Sequence, residues 1–81
     1  MEITQQKFQH VFASNFFVKP QDVHPRKTFT KDFKMTPAEF VALVAFVENA
    51  FDIEIPDAEL ANIHTVRDMI ACIGKYDRIK A

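Results

Sequence analysis

Glycine is nearly missing from this 81-residue chain: Gly74 stands alone against nine phenylalanines. Architectures of strands and tight turns use glycine freely. Its scarcity, together with a hydrophobic content of 48%, argues against an all-β fold and against disorder, and favours a compact all-helical domain. With its one glycine placed at an expected helix end, the chain also has no loop to cradle phosphates. Cysteine is equally scarce: Cys72 has no second thiol to pair with, so no internal disulfide forms and nothing suggests a secreted scaffold. The N-terminus lacks a basic segment followed by an apolar one, and no apolar run approaches the ~20 residues of a membrane span. These absences lead to the expectation of a cytoplasmic monomer folded as a single domain over 1–81, which buries roughly 60% of the surface its unfolded chain exposes.

Basic residues are missing from a whole stretch. Between 36 and 64 there is no Lys or Arg, while Glu39, Glu48, Asp52, Glu54, Asp57 and Glu59 carry six negative charges. Residues 1–34 are net +3 and residues 35–81 net −4, so a formal charge of −1 conceals a strong asymmetry. Nucleic-acid binding requires clustered cations that displace counterions. The pattern here points instead to a protein partner with a basic surface.

Helical spacing organises the remainder. Phe8, Val11, Phe12 and Phe16 predict a helix over about 4–16, with Thr4 as its cap and Asn15 suited to a left-handed close. Residues 18–35 contain Pro20 and Pro25 and show no period; they read as a long loop pinned by Val23, Phe29 and Phe33. Thr36, Pro37 and Glu39 then form a capping box with proline at the first helical position, where its missing N–H costs nothing. The helix they start, 37–51, carries Phe40, Val41, Leu43, Val44, Val47 and Phe51, enough apolar residues to make it central. Residues 52–56 alternate like a strand but have no second strand to pair with, so they read as an extended loop with Ile53 and Ile55 inward. Asp57 is expected to cap a short helix over 57–61. A last helix, 66–73, follows a second capping pair at Thr65 and Asp68, closes at Gly74, and leaves the tail from Lys75 to Ala81 frayed.

Residues 32–57, DFKMTPAEFVALVAFVENAFDIEIPD, and 63–68, IHTVRD, resemble the acyl carrier protein family. There, a D-x-G-x-D-S-L motif opens the second helix and FDIEIPD follows it; the match at 51–57 is the most specific part. The resemblance implies a four-helix bundle of three long helices and one short, with a long first loop. It also implies a 4'-phosphopantetheine arm on the motif serine, whose thiol holds acyl chains. Here Thr36, Pro37 and Ala38 stand at the last three motif positions, so Pro37 replaces the attachment serine. A pyrrolidine ring offers no oxygen to attack coenzyme A, and no cofactor is expected. Thr36 is the only nearby hydroxyl, one residue early and engaged as a cap.

The resemblance places partner docking on the second helix, where relatives are strongly acidic. Glu39 and Glu48 remain, Ala42, Ala45 and Asn49 stand where relatives tend to have acids or larger side chains, and Phe40 and Phe46 add bulk, which together read as a protein-binding face. Both phenylalanines could instead pack against the long loop. The nine phenylalanines are further expected to fill the space that opens for an acyl chain in relatives. His10, His24 and His64 have no carboxylate or thiol at ligand spacing, so no metal is expected. Cys72 reads as a small buried thiol and the carboxylates as solvated, so no enzyme is expected. The leading reading is an unmodified carrier-like docking or accessory module for fatty acid or polyketide enzymes. A working carrier modified at Thr36 and an unrelated helical interaction module are the alternatives.

Overall fold

A computed structural model describes residues 2–80 of the chain and, among the side chains, those of 4–77. Four α-helices follow in order: α1 (Glu2–Asn15), α2 (Pro37–Phe51), α3 (Asp57–Leu60) and α4 (Val66–Lys80), with a 3-10 turn at Pro20–Asp22. No strand forms among the described residues. The fold is the all-α bundle expected from the sequence, with a long loop joining α1 to α2.

The stripe on α1 explains how it packs. Phe8, Val11 and Phe12 are buried against Leu43, Val44, Val47 and Phe51 of α2 and Val66, Met69, Ile70 and Ile73 of α4, in one cluster. Phe12 is its aromatic hub, with ring centroids 4.9 Å from Phe33, 5.6 Å from Phe16, 5.7 Å from Phe8 and 5.9 Å from Phe29. Val23 and Phe29 are fully inside and Phe33 half inside, so these side chains hold the long loop to the core.

The loop also satisfies the start of α4. The first N–H groups of a helix have no partner within it. Here Val66 N–H donates to Lys27 O (3.0 Å) and Arg67 N–H to Pro25 O (2.9 Å), while Phe29 N–H donates to His64 O (3.1 Å). Asp68 N–H donates to Thr65 Oγ1 (3.1 Å), and the Asp68 carboxylate accepts from Thr65 N–H (3.1 Å) and His64 N–H (3.0 Å).

Several helix ends differ from expectation. Helix α1 begins at Glu2, so Thr4 lies inside its first turn and caps nothing. Its last turn closes through the Asn15 side chain, whose Nδ2 donates to Val11 O at 2.8 Å. Among the described residues only Lys34 (φ 53°) and Asp52 (φ 55°) are left-handed. Pro56, not Asp57, takes the cap position of α3, which ends at Leu60. Helix α4 runs through Gly74 to Lys80 instead of closing at 73, because packing continues past the glycine. Tyr76 is half-buried, its hydroxyl donates to Glu59 Oε2 at 2.6 Å, and Lys75 Nζ meets the same oxygen at 2.8 Å. Of the tail expected to fray, only Ala81 lies outside the described residues.

Between α2 and α3, the extended segment is fixed by its ends. Asp52 adopts the left-handed conformation that Asp tolerates better than most residues, and both Asp52 N–H and Ile53 N–H turn back to Glu48 O. Ile53 and Ile55 are buried, as expected.

Candidate functional site

The attachment motif lies at the start of α2. Thr36 is the N-cap: Glu39 N–H donates to Thr36 Oγ1 at 3.1 Å, and Glu39 Oε1 accepts from Thr36 N–H at 2.8 Å. Both halves of the capping box are present, and Pro37 is the first helical residue. Thr36, Pro37, Ala38 and Glu39 are all exposed. Two residues before the cap, Lys34 holds a left-handed backbone that costs a β-carbon roughly 1–2 kcal/mol. The third position of D-x-G-x-D-S-L, counted from Asp32, is this residue, and glycine would adopt its conformation freely.

Beside Pro37 lies a cleft of about 270 Å³, walled by Phe29, Met35, Phe40, Leu60 and Ile63, with Thr36 and His64 at its rim. The phenylalanines therefore do not fill all the interior space. They close the centre around Phe12 but leave an apolar recess between the loop, α2 and α3.

The face of α2 that meets solvent is poorer in free charge than the sequence suggests. At about 100° per residue, Val41 and Phe46 stand roughly 140° apart. Between them lie Ala38, Ala45 and Asn49, exposed, and Ala42, half-buried. The result is a shallow trough, apolar except for Asn49, with two bulky edges. Glu39 is bound into the capping box, and Glu48 Oε2 accepts from Ile55 N–H at 2.7 Å. Of the other acids, Glu59 is paired with Lys75 at 2.8 Å, and the hydrogen bond from Lys75, ahead of that from Tyr76, holds its carboxyl below the usual range. Asp52, Glu54 and Asp57 stay exposed at the α3 end of the trough.

Of the candidate docking residues, the structure groups Ala42, Ala45 and Phe46 on this face, with Glu39 and Glu48 at its margins. Phe40 is turned to the other side, where its ring lies 5.4 Å from Phe29 and lines the cleft. Phe46 keeps 40% of its surface exposed despite an edge contact with Phe16 at 6.0 Å. One phenylalanine thus packs on the loop while the other remains at the surface. Val41 and Ala38 belong to the trough but were not singled out from sequence. The spacing Val41, Ala45, Asn49 held that signal, hidden because valine in so apolar a helix reads as core.

The remaining candidates, His64 aside, lie apart from this region. His10 and His24 are exposed and distant from it, and of the three histidines His64, also exposed, reaches the cleft rim. Cys72 is buried, and that burial, with the Glu59 carboxylate adding to it, pushes the thiol above its ordinary value. No group of metal-ligating side chains occurs among the described residues, and no helix there is long and apolar enough to cross a membrane.

Comparison with known proteins agrees with this geometry. The family profile described as "Phosphopantetheine attachment site" matches residues 6–73. Over 60 residues the chain is 32% identical to the meromycolate extension acyl carrier proteins of Mycolicibacterium aurum and Mycolicibacterium smegmatis, covering 74% of this chain and 62% and 61% of theirs. The counterpart in Mycobacterium tuberculosis is 30% identical over 60 residues, 74% of this chain and 52% of its own. The chain thus spans between about half and three fifths of the curated relatives it matches. A profile covering this much of a helical bundle leaves no room for an unrelated interaction module: the chain belongs to the phosphopantetheine attachment-site family, that of the acyl carrier proteins.

Proposed function

We propose that this is a single carrier-like domain that bears no phosphopantetheine and acts as a docking or accessory module, not a catalyst, for acyl-processing enzymes of the fatty acid or polyketide type. One observation carries the reading: Pro37, exposed at the first position of α2, occupies the site that the motif gives to serine. Thr36, the only hydroxyl beside it, already accepts a hydrogen bond from Glu39 N–H. Attack on the pyrophosphate of coenzyme A requires a free oxygen nucleophile at the right place, and a shift of about 1 Å can already cost on the order of a hundredfold in rate. The cap therefore disfavours the alternative in which Thr36 is the modified residue.

What remains for function is a surface. The trough on α2 has an apolar floor and acids at its margins, so it suits a partner presenting an apolar ridge flanked by basic side chains. The relatives' names attach them to meromycolate extension; for this chain, chain-elongating enzymes of that general type are the partners in view.

Intact-mass measurement tests the reading, both on protein isolated from its native host and after incubation with coenzyme A and a promiscuous phosphopantetheinyl transferase. No mass gain is expected. A covalently bound arm in either sample would overturn it. Co-purification with an acyl-processing enzyme, lost in Phe46→Asp, is the expected result for the docking role.

A further inference from the structure

Phe17 is fully exposed, although it follows the buried stripe of α1 directly. It stands at the lip of a second cleft, which shares Met35 with the one beside Phe40. This cleft has a volume of about 320 Å³ and is walled by Phe12, Phe16, Val18, Phe33 and Met35, with Lys34 and Glu39 at its mouth. A solvent-facing phenylalanine beside an aromatic recess is an unusual surface for an isolated domain, since contiguous apolar patches of this kind mark contacts.

The patch is complementary to itself. It offers one projecting ring and one hole, and a recess of roughly 150 Å³ already accepts benzene, so this cleft has room for a phenyl ring. It also offers one cation and one anion. Lys34 is in no ion pair among the described residues, and Glu39 keeps an oxygen outside its cap, because only Oε1 accepts from Thr36 N–H. An isologous interface brings the same patch of two copies together, so a ring, a hole, a cation and an anion in one patch supply each contact with its counterpart. The near-neutral net charge of −1 adds little repulsion between two copies.

We propose that the chain self-associates as a two-fold dimer in which Phe17 of each copy enters the aromatic cleft of the other. This departs from the monomer expected from sequence and does not rest on the docking role of α2. Lys34 then has a use for its left-handed backbone, which turns the chain so that its side chain stands at the cleft mouth.

Sedimentation velocity of the full chain, from low micromolar to near-millimolar concentration, tests the dimer. The weight-average mass is expected to rise from 9.4 kDa towards twice that value. Phe17→Glu, at a position too exposed to affect folding, is expected to weaken association at least about tenfold, equivalent to about 1.4 kcal/mol. Phe17→Tyr keeps the ring and should retain the dimer, whereas Lys34→Glu should weaken it. A wild-type chain that stays at 9.4 kDa throughout overturns the proposal. So does a Phe17→Glu chain that associates like the wild type, since the contact would then lie elsewhere.

Discussion

Replacing Pro37 with serine places a hydroxyl at the start of α2 while leaving its surroundings intact, so the consequences can be worked out in advance. Pro37 is exposed at the edge of the apolar cleft and is no part of the buried core, and Thr36 caps the helix independently of it. The stability lost is then the entropic benefit of a fixed φ in the unfolded chain, about 0.4–1 kcal/mol. In a domain of this size that corresponds to a fall in Tm of about 2–8 °C. The gain is chemical: a primary hydroxyl at the first turn, where helix N–H groups favour an incoming phosphate, although the Glu39 carboxylate shares that helix end. Phe29, Met35 and Leu60 still wall an apolar recess beside it. Incubated with coenzyme A and a promiscuous transferase, Pro37→Ser should gain a phosphopantetheine arm by intact mass, and the wild type should not. Two results refute the reasoning. Modification of the wild type that disappears in Thr36→Ala would make Thr36 the nucleophile. A folded Pro37→Ser protein that stays unmodified would mean that more than one oxygen atom separates this site from a working one.

Other perturbations test the frame around the site. Phe12→Ala removes the aromatic hub, which is completely buried, and should cost about 3–5 kcal/mol by urea denaturation, against a total of about 4–12 for such a chain; a loss below about 1 kcal/mol would contradict the packing. Glu48→Ala leaves the N–H of buried Ile55 unpaired and should cost about 1.5–3 kcal/mol, with Glu48→Gln, which keeps an acceptor, costing clearly less. The backbone N–H of His64, followed by that of Thr65 and its hydroxyl, holds Asp68 below its ordinary 3.8. A carboxylate depressed in the folded state contributes stability above its unfolded value and loses it as pH falls through the folded one. Melting temperature should therefore drop in acid below 3.8, and Asp68→Asn should flatten that drop.

What the sequence disclosed depended on how local the determining interaction was. The capping boxes at Thr36 and Thr65 are four-residue devices whose partners are fixed by spacing, and both formed. The buried stripes of α1, α2 and α4 are periodic, and their inward residues follow the period. Helix ends set by distant contacts were hidden. Gly74 reads as a stop because glycine favours one, yet α4 continues, since Glu59 from α3 is there to receive Lys75 and Tyr76. The division of Phe40 from Phe46 was likewise illegible: both are bulky residues on an apolar helix, and only the placement of Phe29 in the loop and Phe16 just past the end of α1 decides which is covered. Phe17 escaped notice because nothing in its neighbourhood distinguishes it from Phe16.

On the function proposed above, the helix start and the absence of a serine at its first position can be read as one change. A serine at the first helical position is a modest helix former, tolerable where its hydroxyl is needed; once that need lapses, proline is the better residue, because its fixed φ suits the helix and its missing N–H would have no partner. The same logic extends along α2. Glu39 and Glu48 are turned to internal tasks, one closing the capping box and the other holding Ile55, and Ala38, Ala42 and Ala45 bring no charge to the outer face. A helix that must present a modified residue to many enzymes benefits from long-range electrostatic steering. A helix that makes one durable contact benefits from apolar complementarity, which is short-ranged and largely insensitive to salt. If the trough between Val41 and Phe46 serves the second purpose, its partner's affinity should change little between low and high ionic strength. A steep loss with added salt would instead place the contact on Asp52, Glu54 and Asp57, the acids left exposed beside it.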